Sequence, residues 1–91
     1  MDKEKLKALK KQSNQLKPVI IVGQHGLSEN VFAEIDRALH DHELIKIRLN
    51  AKDHYERIEM IGEIQAKSGA ELVNAIGHVA SFYRYSQKLH D

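Results

Sequence analysis

The sequence predicts an α/β protein, in which a mixed four-stranded sheet and its helices form an α+β arrangement of two layers. Two observations predict this fold class. Short aliphatic runs alternate along the chain with segments whose apolar residues recur at helical spacing. Near the C-terminus, two further strand-like runs are separated only by Gly77-His78, a pattern typical of a β-hairpin. The predicted order is therefore α-β-α-β-α-β-β, with the first two strands parallel across a helical crossover.

Length and composition limit the class of protein. A chain of 91 residues is long enough for one domain, 1–91, with a modest core. The hydrophobic share of 42% and the charged share of 30% are typical of a globular protein. No apolar run approaches the roughly 20 residues that cross a membrane, and the N-terminus lacks the apolar segment of a signal peptide. We therefore expect a cytoplasmic protein with no membrane partner. The lack of cysteine excludes disulfides, thiolate metal sites and cysteine nucleophiles.

Positive charge is concentrated at one end of the chain. Residues 1–17 hold six lysines and two acidic residues, a net charge of +4. The other 74 residues hold 8 basic and 11 acidic groups, a net charge of −3. This asymmetry favours a polyanionic partner, although a lysine-rich helix is more often only a solvated surface.

The basic N-terminal segment, residues 1–16, is predicted to be helical over 3–15. Leu6 and Leu9 lie on a narrow apolar face, with lysines on another face, so we expect this helix to lie on a core built by the rest of the chain. The four consecutive aliphatic residues Val19–Val22 then predict a strand that is covered on both faces.

The next helix and strand have the clearest patterns. Ser28 is predicted to cap a helix that runs to about residue 41. The segment Leu44–Asn50 alternates between apolar and polar residues, which predicts a half-buried strand with Lys46 and Arg48 on its outer face. The residues predicted to face the core from these two elements are Val31, Ile35, Ala38, Leu39, Ile45, Ile47 and Leu49.

A third helix is predicted between a capping box and a glycine. Asp53 and Glu56 have the spacing of the capping box, and Gly69 is expected in the left-handed conformation that ends a helix. Gly62, in the middle of this helix, costs about 1 kcal/mol relative to alanine. We therefore expect a close packing contact between Gly62 and the sheet.

The last third of the chain is predicted to form strands over 71–76 and 79–85, followed by a frayed tail over 87–91. Tyr83 and Tyr85 share one strand face and could stack on bases. However, the chain has only three tyrosines and two phenylalanines, and it lacks the aromatic strand motif of RNA-recognition sheets. Packing is the more usual role for such residues.

The sequence predicts no catalytic site and no metal site. The carboxylates fall on predicted exposed helix faces, not in an apolar pocket that would separate the pKa values of two acids. Among the six histidines, no pair has the spacing of zinc ligands on a helix. We therefore predict a non-enzymatic protein with no cofactor and no small-molecule substrate.

The segment Gly23–Gly26 joins the first strand to the second helix. Glycine allows a sharp turn and a close approach of a ligand to the backbone, and the helix that follows points its free N–H groups at the turn. RNA backbones are clamped in this way over the Gly-x-x-Gly loops of KH modules. Two observations weigh against a clamp: Gln24 and His25 carry no firm charge, and Glu29 would repel a phosphate. A turn that needs glycine only for its geometry remains the alternative.

Three stretches of the chain resemble the CRM domain family, named for chloroplast RNA splicing and ribosome maturation. They are Leu16–Leu27, Leu44–Leu49 and Ile76–Arg84. The resemblance is greatest to the stand-alone bacterial members called YhbY, which also carry a basic N-terminal helix.

The resemblance implies an RNA-binding module without catalytic activity. It also implies a fold similar to the C-terminal domain of translation initiation factor 3, with a loop likened to that of KH domains. Bacterial members of the family are associated with precursors of the large ribosomal subunit, and plant relatives assist group II intron splicing. The expected partner is therefore RNA, as large-subunit ribosomal RNA or a pre-ribosomal particle.

The expected RNA contacts are of two kinds. The loop is expected to clamp the RNA backbone, because it matches the loop of the family. The cations follow from charge alone, and those of the N-terminal helix reach the loop only if that helix folds back towards it. The predicted RNA-binding residues are Gly23, Gln24, His25, Gly26, Lys7, Lys10, Lys17, Lys46, Arg48 and Arg84.

Two other functions remain open from the sequence. The chain could be a protein-interaction adaptor whose basic N-terminal helix docks an acidic partner, with RNA binding incidental. A metal-dependent hydrolase is the second alternative, and it would require bound metal.

Overall fold

The computed structural model covers all 91 residues and contains four strands and four helices. In chain order they are α1 (Lys3–Ser13), β1 (Ile20–Val22), α2 (Glu29–His42), β2 (Leu44–Leu49), α3 (His54–Ser68), β3 (Glu71–Ile76), β4 (Val79–Tyr83) and α4 (Gln87–His90). The strand order is β1-β2-β4-β3. Strand β1 runs parallel to β2, whereas β4 is antiparallel to both β2 and β3. The predicted mixed four-stranded sheet is confirmed.

Helices α2 and α3 cover one face of the sheet and enclose the main core. A cluster of 13 buried residues joins them to the strands. The predicted alternation of β2 is confirmed, because Ile45, Ile47 and Leu49 are buried in this cluster while Arg48 is exposed. From the helices, the fully buried members are Ile35 and Leu39 of α2 and Ile64 of α3.

Helix α1 lies on the opposite face of the sheet, against β2 and β3. Its Leu9 and Ser13 are buried, as is Ser81 of β4. The Nζ of Lys5 lies 4.6 Å from the centroid of the Tyr83 ring. Tyr83 is therefore covered by α1 instead of being open to a stacked base.

The predicted helix caps are confirmed. The Oγ of Ser28 accepts a hydrogen bond from the Val31 N–H at 3.3 Å at the start of α2. At the start of α3, Asp53 Oδ1 accepts from the Glu56 N–H at 2.8 Å. Gly69 ends α3 with φ +72°, in the left-handed region where glycine carries no steric penalty.

The prediction that β1 is covered on both faces is wrong. Ile20 and Val22 are buried, but Val19 and Ile21 are 55% and 63% exposed. Strand β1 is at the edge of the sheet, and α1 packs on β2 and β3, so nothing covers the second face of β1. A run of aliphatic residues does not distinguish a central strand from an edge strand of this kind.

The expected packing contact of Gly62 is also wrong. Gly62 is exposed on α3, and a Cβ added to it would meet no atom within 4 Å. The structure therefore provides no packing reason for glycine at this position.

The C-terminal residues differ from the sequence prediction as well. Strand β4 ends at Tyr83, and residues 87–90, predicted to be frayed, form α4 against α2. The Lys88 Nζ lies 2.7 Å from Asp41 Oδ1, and the His90 Nε2 lies 2.7 Å from Glu43 Oε1, so two side-chain contacts link α4 to the end of α2. None of the four helices is both long and apolar enough to cross a lipid bilayer.

Candidate nucleic-acid interface

The glycine loop, Gly23–Gly26, is a tight turn between β1 and α2. The Gly26 N–H donates a hydrogen bond to the Gly23 carbonyl at 3.0 Å, which closes the turn. Gly26 has φ +70°, a conformation that other residues rarely adopt. Gly23 is not in that region, and a Cβ added to it would meet no atom within 4 Å. The local geometry of the turn therefore requires glycine at Gly26 but not at Gly23.

The glycine loop presents unused hydrogen-bond donors. The backbone N–H groups of Gln24, His25 and Leu27 have no acceptor in the protein. The side chain of Ser28 caps α2 immediately afterwards, so the positive end of the α2 dipole lies beside these donors. An anion placed here would receive backbone hydrogen bonds, as at other loops that precede a helix.

The loop cleft is a concavity of about 320 Å³ beside the glycine loop. Besides the loop itself and Leu27, it is lined by Asn50 and by Glu56, Met60 and Glu63 of α3. The lining contains two carboxylates and no lysine or arginine. Charge in the loop cleft therefore opposes a phosphate, although the free backbone donors favour one.

Three loops meet at this end of the sheet. The Asn50 N–H donates to the Val22 carbonyl at 3.1 Å, and the Leu49 N–H donates to the His78 carbonyl at 2.6 Å. The Arg57 guanidinium donates to the Gly77 carbonyl, and its Nη2 lies 2.9 Å from His54 Nδ1. The glycine loop is therefore held next to the β2–α3 connection, and the hairpin lies on the other side of that connection.

The open sheet face is the part of the second sheet face that α1 leaves uncovered. Its exposed residues include Ile21 and Ile76, which is 69% exposed, together with Arg48. Arg48 is aligned with Ile21 on β1 and with Val79 on β4, and its Nε donates to Asn50 Oδ1 at 3.3 Å. This surface begins where β1 enters the glycine loop.

Two grooves on this face flank the segment that joins α1 to β1. Their volumes are about 470 and 330 Å³, and Leu16, Lys17 and Lys46 line both of them. Neither groove is lined by an acidic residue. Together with Arg48, the two lysines give the open sheet face a positive charge that the loop cleft lacks.

The lysines of α1 do not reach the glycine loop. Lys7 and Lys10 are exposed on a helix that packs against β2 and β3, and no residue of α1 lines the loop cleft. Helices α2 and α3 carry seven acidic and three basic residues, a net charge of −4. The sheet therefore separates a basic layer, formed by α1, from an acidic layer, formed by α2 and α3, which borders the glycine loop.

Arg84 lies at the opposite end of the sheet, where its guanidinium is bound by the protein. Its Nη1 donates to Asp36 Oδ1 at 2.7 Å and to the Ser68 carbonyl at 2.9 Å, and its Nη2 donates to the Asp36 carbonyl at 3.1 Å. These contacts tie the end of β4 to α2 and to the end of α3. The structure thus does not bring Arg84 together with the other predicted RNA-binding residues.

A cluster of titratable groups joins α2 to the C-terminal helix α4 at this same end of the sheet. Burial of the Glu43 carboxylate favours a higher pKa. Hydrogen bonds from the Ser86 N–H and from His90 outweigh this effect, together with the charges of His90 and Lys5. The pKa of Glu43 is therefore held below its usual range. Similarly, the hydrogen bond from Lys88 lowers the pKa of Asp41. These groups stabilise the fold at a distance from the glycine loop.

Several residues of the open sheet face were not predicted from the sequence, among them Asn14, Asn74 and Ile76. They line the smaller groove together with Lys17 and Lys46. The sequence feature that could have indicated this surface is Ile76 itself, a large aliphatic residue directly before a tight turn. The two asparagines lie 60 positions apart in the sequence, and no local pattern connects them.

The chain matches known proteins over nearly its whole length. Residues 1–84 match the model of the CRS1/YhbY (CRM) domain. A protein of Pseudomonas aeruginosa named a probable RNA-binding protein is 42% identical over 88 residues, which cover 97% of this chain and 85% of that protein. A protein of Haemophilus influenzae named an RNA-binding protein is 39% identical over 80 residues, which cover 88% of this chain and 81% of that protein.

The fold is also similar to a solved structure. The solution structure of a hypothetical protein of Staphylococcus aureus superposes with a TM-score of 0.83 at 25% sequence identity. The match covers 96% of this chain and 91% of that one.

Proposed function

We propose that this chain, which belongs to the CRS1/YhbY (CRM) domain family, binds RNA and acts as an assembly factor on precursors of the large ribosomal subunit. RNA binding follows from the family and from the names of the Pseudomonas and Haemophilus relatives. The ribosomal role is our inference from the resemblance to the bacterial family members. The target would be large-subunit ribosomal RNA, free or in a pre-ribosomal particle.

The observation that carries the proposal is the position of the cations. Lys17, Lys46 and Arg48 lie on one face of the sheet, and no acidic side chain lines the two grooves of that face. Exposed Ile21 lies between this charge and the glycine loop. Phosphates attracted to the cations would bring the RNA backbone to the end of β1, where the free N–H groups of Gln24 and His25 are exposed.

In the proposed mechanism, the loop supplies geometry and the open sheet face supplies charge. The backbone of the RNA lies against Gly23, which has no side chain to obstruct it, and accepts hydrogen bonds from the next residues. Lys17, Lys46 and Arg48 provide an affinity that decreases with salt, since each phosphate contact releases a counterion. The α1 lysines, including Lys7 and Lys10, extend the same positive surface but make no contact at the loop.

The experiment that tests this function is crosslinking of the chain to RNA in bacterial cells, followed by sequencing of the attached fragments. We expect fragments from precursors of the large-subunit ribosomal RNA. Fragments spread evenly over messenger and transfer RNA would overturn the ribosomal assignment and leave RNA binding intact. No crosslinked RNA above that of an unrelated protein of equal size and charge would overturn RNA binding itself.

The adaptor alternative is tested by pull-downs with and without nuclease. RNA-mediated associations are expected to disappear after nuclease treatment. A protein that stays bound to the chain after nuclease treatment, and is released when Lys7 and Lys10 are changed to glutamine, would favour the adaptor.

A further inference from the structure

The smaller groove of the open sheet face, hereafter the Asn groove, lies between the segment after α1 and the ends of β3 and β4. Its volume of about 330 Å³ is within the range of small-ligand sites. One half of its lining is apolar or aliphatic and the other half is polar. The lining residues are Leu16, Pro18, Ile76 and Val79, with Asn14, Lys17, Lys46 and Asn74.

The chemistry of the Asn groove suits a flat, polar ring attached to an anion. Two lysines and no carboxylate line the groove, so an anionic group is favoured at its edge. Asn14 and Asn74 contribute amides from two different elements, and each amide both donates and accepts hydrogen bonds. The aliphatic residues provide a surface against which the flat face of a ring can pack. That face makes no hydrogen bonds to water, so none are lost. A nucleotide has this combination of groups, whereas a peptide carboxylate has no ring.

A buried hydroxyl beside the Asn groove also lacks a partner. The Oγ of Ser81 is fully buried and makes no hydrogen bond. Ser81 is paired with Lys46 on β2 and with Asn74 on β3, so it lies between two residues that line the groove. An unsatisfied buried hydroxyl is unfavourable, and it marks the part of the sheet beneath the groove as one where polar packing is incomplete.

We propose that the Asn groove binds one unpaired base of the RNA, with Asn14 and Asn74 hydrogen-bonded to its edge. Lys17 and Lys46 hold the phosphates on either side of that base. This inference rests on the proposed function, because it names the form of RNA that the open sheet face recognises. The chain therefore selects single-stranded or bulged RNA next to the segment clamped by the glycine loop.

The exposed aliphatic residues support a single strand over a duplex. Ile21 and Ile76 are more than 60% exposed on the same face as the Asn groove. A duplex presents phosphates and hydroxyl groups and keeps its bases stacked inside, so it has nothing to place against these residues or within the groove. The faces of unpaired bases can pack against such aliphatic side chains, and their edges are then accessible to the amides.

The test compares binding of the full chain to short single-stranded RNAs of equal length, each made of one kind of base, and to a duplex of the same length. We expect the parent chain to prefer one base and to bind the duplex more weakly. Asn14→Ala and Asn74→Ala are each expected to reduce that preference by about 3- to 10-fold, the size of one lost hydrogen bond. The slope of log affinity against log salt stays unchanged because no phosphate contact is removed.

Gln65→Ala is the matched control, since it removes an exposed amide from α3 on the other side of the sheet. It is expected to bind each RNA as the parent does. In a parallel NMR titration of the parent chain with the preferred RNA, the side-chain amide signals of Asn14 and Asn74 are expected to shift and those of Gln65 to stay in place. Asn14 is exposed at the end of α1, so its variant keeps the test valid even if Asn74→Ala destabilises the sheet.

Three outcomes would overturn the inference. Equal affinity for all four single strands, with unshifted Asn14 and Asn74 signals, would leave RNA binding intact and exclude a base from the Asn groove. A dimer that forms with rising concentration and is lost in Ile76→Asp would make a second copy of the chain the occupant. Failure of the parent to bind any RNA would overturn the proposed function together with this inference.

Discussion

The loop cleft and the open sheet face meet at the end of β1, but they offer an RNA different interactions. The loop cleft has three free backbone donors beside it and is lined by Glu56 and Glu63. The open sheet face has Lys46, Arg48 and exposed aliphatic residues, and its grooves are lined by no carboxylate. Neither region alone combines a close backbone contact with positive charge.

This difference identifies which part of an RNA each region can hold. A backbone clamp needs small residues and N–H donors, and the glycine loop provides both without charge. Affinity for a polyanion needs cations, and these are on the other face of the sheet. An RNA that uses both regions must therefore pass around the end of β1, over Ile21.

The largest effect is expected from reversing charge on the open sheet face. The double variant Lys46→Glu with Arg48→Glu should lower RNA affinity about 100-fold at roughly 100 mM salt, because two attractions become repulsions. The slope of log affinity against log salt should fall by about 1.4 to 2. Binding titrations at several salt concentrations measure both the affinity and its dependence on salt.

Arg37→Glu with Lys67→Glu is the matched control, since it changes the net charge equally and both residues are exposed on the acidic layer, in α2 and α3. It should alter the affinity by less than about threefold. An equal loss in this control would mean that net charge alone determines the affinity, and the distinction between the two regions would not hold.

A smaller effect in the opposite direction is expected at the loop cleft. Glu56→Gln with Glu63→Gln removes both carboxylates from its lining and should raise RNA affinity about 3- to 10-fold if a phosphate lies there. Glutamine at position 56 keeps the side-chain oxygen that accepts the Lys52 N–H at 3.2 Å, so the start of α3 is preserved. Glu59→Gln, outside the cleft, is the control. Unchanged affinity in the double variant would place the phosphates away from the glycine loop.

Alanine substitutions at the two loop glycines distinguish the loss of an RNA contact from the effect of backbone strain. Gly23→Ala should keep the stability of the parent, since the added Cβ meets no atom within 4 Å, but reduce RNA affinity about 3- to 10-fold by obstructing the RNA backbone. Gly26→Ala should instead lower the free energy of unfolding by about 1 to 2 kcal/mol, because φ is +70°. Denaturant unfolding and RNA titration measure the two effects.

Gly62→Ala provides the reference for this pair. Gly62 is exposed in the middle of α3, so alanine should stabilise the protein by about 1 kcal/mol without altering RNA affinity. If Gly23→Ala binds RNA as tightly as Gly62→Ala does, no RNA backbone approaches the loop at Gly23.

The smallest effect on RNA binding is expected at the opposite end of the sheet. The pKa of Glu43 is lowered in the folded protein, so this carboxylate stabilises the fold at pH values above the ordinary pKa of a glutamate carboxyl. That contribution is lost as pH falls from about 5 through the folded pKa. Glu43→Gln should therefore lose less stability between about pH 7 and pH 4 than the parent does, while RNA affinity at neutral pH changes by less than about twofold.

Chemical denaturation at the two pH values measures the first expectation, and RNA titration measures the second. An identical pH dependence in the parent and in Glu43→Gln would show that other carboxylates cause the acid sensitivity. A large loss of RNA affinity would show that the C-terminal helix takes part in binding.

Local patterns in the sequence determined the first three helices, the four strands and the caps of α2 and α3. The Ser28 and Asp53 caps, the left-handed Gly69 and the alternation of β2 each depend on residues within one or two turns of one another. Interactions over such short distances can be predicted from spacing and residue type. The glycine loop was predictable for the same reason, since it lies between a strand and a capped helix.

Tertiary structure alone decided which residues lie together on a surface. It placed α1 on the face opposite the loop cleft, left one face of β1 open and engaged Arg84 with Asp36, 48 positions away. It also brought Asn14 and Asn74 to one groove. These outcomes depend on strand order and on the face that each helix covers, which result from the packing of the whole chain and leave no periodic signal in its sequence.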